Sequence, residues 1–384
     1  MVIPTGKSVT GAAFLPGDRL LTVGYEPGTA LWDVSDAGPR EVGAVTTETG
    51  VSFGFEFSPD GSQIASFTRP GGFEVVTLAD GESSVTLGDQ AHEYNTTGVR
   101  TVGPGFSLVG SFGDDGSGAI QRLPSLEVVR QLDPCTSAVA FSPDDSLAVV
   151  TGWSCTDPPP AGATAAVMDI ATGTTRFELP LRWVGSAAFT APEGGGDLLA
   201  VRGDGWNGNA VGFFDVATGD ELGTFTGMQV PLLLSTSPDG RYVVVGSQEG
   251  RVVAFDAVAL GARSTIEAAV VFDVVAHTGP TPWPAVSDGG LVATSGFDGL
   301  VRLWDMASGE MVVELRKGGG DVFPVLEFSP DGEYLHYADS ANLIRRFPVD
   351  SERLVALAQS RLVRDLTVDE CRRYFPQEGC PGSG

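Results

Sequence analysis

A few short stretches of this chain carry residue types and spacings that do chemistry in other proteins. Thr5-Gly6-Lys7-Ser8 has the last half of a phosphate-cradling loop. That loop needs a glycine five residues before Gly6, where Met1 stands, and a buried strand in front, which this sequence does not supply. Arg202-Gly203-Asp204-Gly205 spells a cell-adhesion tripeptide, but Gly-Asp-Gly is also ordinary turn chemistry, and the turn is the simpler reading. The three histidines, His92, His277 and His336, are not at ligand spacing, and no His/Cys cluster suggests zinc. Ser and Asp recur in turn after turn, so neither a triad nor a carboxylate pair can be singled out. No catalytic residue, cofactor or metal is expected.

The cysteines are a better signal. Cys135 and Cys155 flank "CTSAVAFSPDDSLAVVTGWSC", whose turn is centred near Asp145, midway between them. A regular antiparallel register sets them roughly opposite each other, at about 4.5 to 5.5 Å between Cα atoms and so within disulfide reach. Two free buried thiols are the other reading. Cys371 and Cys380 make a second close pair, with a crosslink expected across "FPQEG" under oxidising conditions.

Trp304-Asp305, in "LVRLWDMASGE", is the last candidate, and it is one copy of something the chain repeats. Seven further segments align with it: "TALWDVSDAG", "GFEVVTLADG", "GAIQRLPSLE", "AAVMDIATG", "VGFFDVATG", "RVVAFDAVALG" and "LIRRFPVDS". The positions equivalent to Trp304 are Trp32, Val76, Gln121, Met168, Phe214, Phe255 and Phe347, spaced 44, 45, 47, 46, 41, 49 and 43 residues apart when Trp304 takes its place in order. Each copy follows two alternating apolar stretches joined by a turn, as in "FEFSPDGSQIASF" and "LLSTSPDGRYVVVG". Alternation of period two predicts strands, and Ser-Pro-Asp-Gly between them predicts a hairpin. A further turn such as "ATG" and a fourth short strand such as "MVVEL" complete the unit. Four strands per unit, eight units and no helices between them predict an all-β radial array of small sheets.

These residues resemble the WD-repeat β-propeller family, most sharply in "AHTGP" followed by "LVATSGFDGLVRLWD". The resemblance implies one closed propeller over residues 1–350, with eight four-stranded blades or, alternatively, seven and a stray repeat. It also implies that His277, Thr294 or Ser295, Asp298 and Trp304 form a buried hydrogen-bonded set holding one blade together. The eighth unit has no obvious fourth strand, and "MVIPT" at the start of the chain is available to supply it.

Composition agrees with many short strands and tight turns: 52 Gly and 25 Pro in 384 residues. With 49 acidic against 23 basic residues the formal charge is -26, so nucleic acid and anionic lipid surfaces are not expected as partners. The N-terminal sequence lacks the pattern of a signal peptide and no apolar run approaches a membrane span. No membrane insertion and a cytoplasmic location are therefore expected, with an oxidising compartment left open by the paired cysteines.

Residues 351–384 change character. Leu354, Val355, Leu357, Ala358 and Leu362 recur at helical spacing, and "TVDE" at 367–370 is a capping box. Two short helices packed on the propeller are expected. From residue 345 onward seven Arg face six acidic residues, so the tail escapes the acidic bias. The ending "LTVDEC", Tyr374 and Cys380-Pro381 resembles the C-terminus of bacterial signalling proteins that carry a WD-repeat sensor behind a STAND-class NTPase. The family's usual role implies a non-enzymatic, monomeric scaffold or sensor that binds a protein or peptide. A propeller enzyme or small-molecule binder using the central channel, lactonase-like or quinoprotein-like, is the alternative.

Binding is expected on one face, built from loops that break the repeat. "GWSCTDPPPAGAT" and "GDGWNGN" are enlarged, and "PLRWVG" and "TPWPA" lead into first strands. Trp153, Trp206, Trp183 with Arg182 beside it, and Trp283 are the candidate contacts, since aromatic and Arg side chains dominate interface hot spots. The competing reading is that Trp183 and Trp283 merely cover the ends of their own blades.

Overall fold

The strand periodicity resolves into eight four-stranded antiparallel sheets, one per repeat, in a computed structural model of the chain. Before residue 100 the structure describes the strands alone. From 101 to 349 it describes everything except 104–105, 113–117, 124, 126, 153–164, 182–183, 204–209, 282–283, 317–325, 330–331 and 339–342. Residues 350–384 lie outside the described residues, and with them the expected tail helices and the Cys371–Cys380 pair.

All eight positions aligned with Trp304 fall on the third strand of their sheets. Trp32 pairs with Leu20, Val76 with Ile64, Gln121 with Val109 and Met168 with Ala148. Phe214 pairs with Leu199, Phe255 with Val243, Trp304 with Val292 and Phe347 with Leu335. In six sheets the ladder to the fourth strand shifts immediately before this position, for instance between Leu303 and Trp304. A bulge there strengthens the local twist of the outer strands at the same point in each unit. The sequence repeat and the structural repeat therefore share one phase.

The core lies between sheets. Successive side chains of a strand point to opposite faces, so a strand sandwiched between two neighbouring sheets must be apolar at every position. "YVVVG" meets that demand: Val243 and Val245 pack against Leu198, Val211 and Phe213 of the fifth sheet, while Val244 packs with Val286 and Val292 of the seventh. Similar layers join the third sheet to the fourth through Ile120 and Ala148, and the seventh to the eighth through Leu303 and Leu335.

The last sheet is completed from the other end of the chain. Leu326–Phe328, Tyr334–Ala338 and Leu343–Pro348 are joined by Val2–Pro4, with Val2 opposite Arg345 and Pro4 opposite Leu343. Eight sheets with shared termini is the arrangement expected of an eight-bladed ring.

One expectation fails. Two short helices, Ala257–Gly261 and Ile266–Ala269, stand where the sixth sheet was to have a plain turn. The interval from Phe255 to Trp304, 49 residues, is the longest of the seven, and the surplus is folded here. Asp256 caps the first helix, accepting from the backbone N–H groups of Val258 and Ala259. Ile266 packs into the space that Gly223 of the fifth sheet leaves open.

Candidate functional site

Strand order decides which connections share an end of the sheet. In each antiparallel sheet, the segment leading into the first strand and the loop joining second to third strands lie at one end, here the loop face. The hairpin joining first to second strands and the turn joining third to fourth lie at the other, the turn face.

The turn face repeats a small set of atoms. In the hairpin of the sixth sheet, Ser237 Oγ accepts from Tyr242 N at 2.9 Å, and Asp239 Oδ1 accepts from Arg241 N at 2.9 Å. Ser142 and Asp144 do the same in the fourth sheet, accepting from Leu147 N at 2.9 Å and Ser146 N at 3.1 Å. There the left-handed position, glycine in the sixth sheet (Gly240, φ 71), is Asp145 (φ 55), whose carboxylate accepts from Ser107 Oγ of the neighbouring sheet at 2.6 Å. In the third-to-fourth turns, Asp169 accepts from Thr172 N at 2.8 Å, Asp215 from Thr218 N at 3.0 Å and Asp305 from Ser308 N at 2.7 Å. For Asp144, Asp169 and Asp305 such bonds favour the ionised carboxylate. The side chains of Ser142 and Ser146 hold Asp144 below the usual carboxylate range, as Thr172 does for Asp169 and Ser308 for Asp305. Asp305 is thus a turn-former.

At the loop face of the seventh sheet a different network is buried. His277 Nδ1 lies 2.9 Å from Asp298 Oδ1, and its Nε2 lies 2.9 Å from Thr294 Oγ1, which also accepts from Trp304 Nε1 at 3.0 Å. One tautomer satisfies every atom: Nδ1–H donates to Asp298, and Nε2 accepts the Thr294 hydroxyl proton. Burial pushes the imidazole below its ordinary value despite Asp298, and Arg302, with Nη1 3.0 Å from Nδ1, opposes a second proton. Burial also disfavours charge on Asp298, yet His277 and Arg302 together hold that carboxyl low. The ring is therefore neutral near pH 7 and acts as a connector between strands, not as an acid or base.

Among the described residues no three His, Cys, Asp or Glu side chains converge as a metal site. No described helix is long and apolar enough to cross a membrane.

Comparison with known proteins agrees with this geometry. The family described as "WD domain, G-beta repeat" matches residues 285–305, the hairpin and third strand of the seventh sheet. The chain has the WD-repeat β-propeller fold. Its residues are 36% identical over 80 positions to "Cross-pathway control WD-repeat protein 2" of Flammulina velutipes, covering 21% of this chain and 24% of that protein, so the match spans about a quarter of the relative's length. Among solved structures, the C-terminal WD40 domain of Sif2 superposes with a TM-score of 0.69 at 13% identity, covering 91% of this chain and 97% of that one. Saccharomyces cerevisiae Sqt1 gives 0.66 at 14%, covering 91% and 98%. The computationally designed Ika8 protein gives 0.67 at 15%, covering 89% and 96%. At such identities these likenesses speak for the fold alone.

On the propeller, the residues singled out from sequence separate cleanly. His277, Asp298, Thr294 and Trp304 are brought together as one network. Ser295 is next to them but takes no part, its buried hydroxyl having no hydrogen-bond partner among the described residues. Arg302 was missed. It pairs across the ladder with Thr294 and reaches Asp298 Oδ2 at 3.1 Å, Ala276 O at 2.6 Å and Glu314 Oε2 at 3.0 Å. The signal was available, since Arg302 stands two residues before Trp304 on the same face of one strand. Trp153, Trp206, Trp183, Arg182 and Trp283 lie outside the described residues, as does Cys155. Their flanks are described: 153–164 connects Leu147–Gly152 to Ala166–Asp169, and 204–209 connects Leu198–Gly203 to Val211–Asp215. Residues 182–183 precede Val184–Thr190 and 282–283 precede Ala285–Val286. All four segments join strands at the loop face. Sequence reasoning also missed Phe297, 54% exposed in the loop joining second and third strands of the seventh sheet.

Proposed function

We propose that this propeller is a non-enzymatic interaction module that engages a protein or peptide through its loop face. The observation that carries this is the division between the two faces. Turn-face side chains are committed to holding backbone N–H groups, whereas the loop face carries the two enlarged segments, 153–164 and 204–209, and the exposed ring of Phe297. An exposed aromatic on a rigid sheet end is a low-entropy contact, and a cluster of them around a scaffold is the usual composition of an interface hot spot. The formal charge of -26 favours a basic or neutral partner over an anionic one. The likeness of the tail to bacterial sensor propellers supports a regulatory protein as that partner.

The test is a comparison of captured partners. Replacing Trp153 and Trp206 together by Ala should leave the melting temperature within about 2 °C of the parent, as surface changes usually do, yet cost at least about tenfold in affinity for the partner recovered with the parent chain. A double variant that unfolds makes these residues core. One that binds as well as the parent moves the interface elsewhere.

A further inference from the structure

We infer that the loop-face seam between the sixth and seventh sheets is a subsite for a cationic side chain, Lys or Arg, carried by a partner peptide among apolar neighbours. This subsite rests on the reading of the loop face as the binding surface. Among the described residues seven large apolar side chains are exposed. Val128, Val271, Met311 and Val312 lie toward the turn-face ends of fourth strands. The other three, Val230, Val275 and Phe297, lie at the loop face, and all three belong to the sixth and seventh units.

Four connections meet in series along this seam. Gln248 N, in the loop after Tyr242–Ser247, donates to Val230 O at 3.1 Å, and Gln229 N donates to Glu249 Oε1 at 2.9 Å. Thr281 N donates to Ser247 O at 3.0 Å, and Phe297 N donates to Pro280 O at 3.3 Å. Residues 229–230, 247–250, 280–281 and 296–297 therefore form one bonded surface, with an exposed valine at one end and an exposed phenylalanine at the other. Phe297 is held from both sides. A Cβ on Gly296 would collide with the His277 ring, and Asp298 is bonded to both His277 and Arg302. The turn is thus fixed before any partner arrives, so the ring loses little freedom on binding.

The backbone adds an independent sign. Val230 has φ 44, a left-handed conformation that a β-branched residue adopts only at a cost. Such an outlier persists where its surroundings impose it, and functional sites are where outliers collect. Here the bonds that tie 229–230 to the next loop impose it, and the valine side chain is left 40% exposed.

Charge decides what the apolar ends flank. Glu249 is half-buried: its Oε1 accepts from Gln229 N at the surface, but its Oε2 is buried with no hydrogen-bond partner among the described residues. Arg251 is close enough to feel this carboxylate, yet its guanidinium is spent on Asp273, at 2.7 and 2.6 Å, and on Gly227 O. Thr281 is fully buried, and its Oγ1 also lacks a hydrogen-bond partner among the described residues. A carboxylate stripped of water on one oxygen and short of donors is stabilised by a cation that brings N–H groups, which an ammonium or a guanidinium does. An anionic segment would be repelled here, and a wholly apolar one would strip the carboxylate further. The formal charge of -26 adds long-range attraction of the same sign.

The test pans a random dodecapeptide library displayed on phage against the full chain, then synthesises the enriched peptides and titrates them. Those peptides should carry Lys or Arg next to an aromatic or aliphatic residue. Enrichment of acidic peptides, of peptides without a basic residue, or of none at all overturns the assignment. Glu249→Gln keeps an acceptor for Gln229 N and removes the charge, so it should cost about tenfold in affinity and leave the melting temperature within about 2 °C of the parent. Phe297→Ala should also cost about tenfold. Unchanged affinity in either variant overturns the subsite, and so does a Glu249→Gln chain that melts well below the parent, since the carboxylate would then be a structural pin. Two further variants separate this failure from failure of the loop-face reading. If binding survives both seam changes but is lost when Trp153 and Trp206 are replaced together, the loop face stands and the seam does not. If binding is lost instead in Arg263→Glu, exposed on the turn face, both readings fall.

Discussion

At the turn face the same few atoms recur from sheet to sheet: a serine and an aspartate in the first hairpin, an aspartate and a hydroxyl in the second turn. At the loop face only the seventh sheet shows the full buried set of His277, Asp298, Thr294 and Trp304 among the described residues, and the connections differ in length from one unit to the next. The contrast teaches where the charge comes from. Asp144, Asp169, Asp215, Asp239, Asp256 and Asp305 each accept backbone N–H bonds at the turn face. A turn-forming requirement that recurs among the described sheets adds acidic residues without any ligand asking for them. These turns therefore account for part of the -26 formal charge independently of any binding role.

The largest effect expected is on the ring itself. Deleting residues 1–5 removes the strand Val2–Pro4, and with it the ladder to Leu343–Pro348, leaving a free sheet edge in the eighth sheet. The melting temperature should fall by about 10 °C or more, or the protein should aggregate, because a repeat array depends on each neighbour interface. A scanning calorimetry trace that keeps the parental midpoint would mean that the two ends of the chain do not hold each other.

A smaller loss is expected from the buried network at the loop face. Thr294→Val keeps the volume of the side chain but removes the oxygen that joins His277 to Trp304, so the indole N–H and a ring nitrogen lose their partner together. The cost is on the order of 2 to 3 kcal/mol, the usual penalty for stranding buried polar groups. Denaturant unfolding would read it, and a loss under about 0.5 kcal/mol would show that water replaces the hydroxyl without penalty.

The turn face should respond still less at each site, and in a way acid can titrate. Asp305→Ala removes one acceptor from an exposed turn, so a drop of a degree or two in melting temperature is expected, about the size of a modest surface capping loss. Hydrogen bonds from Ser308 depress this carboxyl in the fold, so its contribution is present above the ordinary unfolded value and disappears as the pH falls through the folded one. Parent and variant should therefore converge as the pH falls below the ordinary carboxylate range and through the lowered value of Asp305. A gap that persists unchanged at low pH would mean that the aspartate acts through packing.

Much of this was legible in the sequence because it repeats. The spacing of Trp32, Phe255, Trp304 and their equivalents favoured eight sheets over seven and set the phase of the third strand, since a strand buried on both faces leaves a continuous apolar run that shows wherever it occurs. The helices at 257–261 and 266–269 were hidden because Asp256 is the same residue that starts a plain turn in other units. The segment beyond Asp256 stands out from its counterparts only by its length, and length alone does not say how the surplus folds. The loop face was legible only as irregularity: a resemblance can mark which residues are unusual, but Trp153 and Trp206 have no counterparts in the other units whose surroundings would tell what they touch.

The smallest expected effect sharpens the same contrast to a single position. The family pattern left Thr294 and Ser295 as equal claimants, because both are small hydroxyl residues near the end of one strand. Adjacent strand residues face opposite sides, so at most one of them can meet His277. Thr294 does so, and Ser295 points the other way, where its Oγ is buried with no hydrogen-bond partner among the described residues. A hydroxyl in that position gains nothing from those surroundings. Ser295→Ala should therefore be neutral or stabilise the fold by up to about 1 kcal/mol, the opposite sign to Thr294→Val. If Ser295→Ala instead destabilises by more than about 1 kcal/mol, the hydroxyl holds a buried water or a neighbouring chain segment, and the bonded set extends beyond Thr294 to the adjacent sheet.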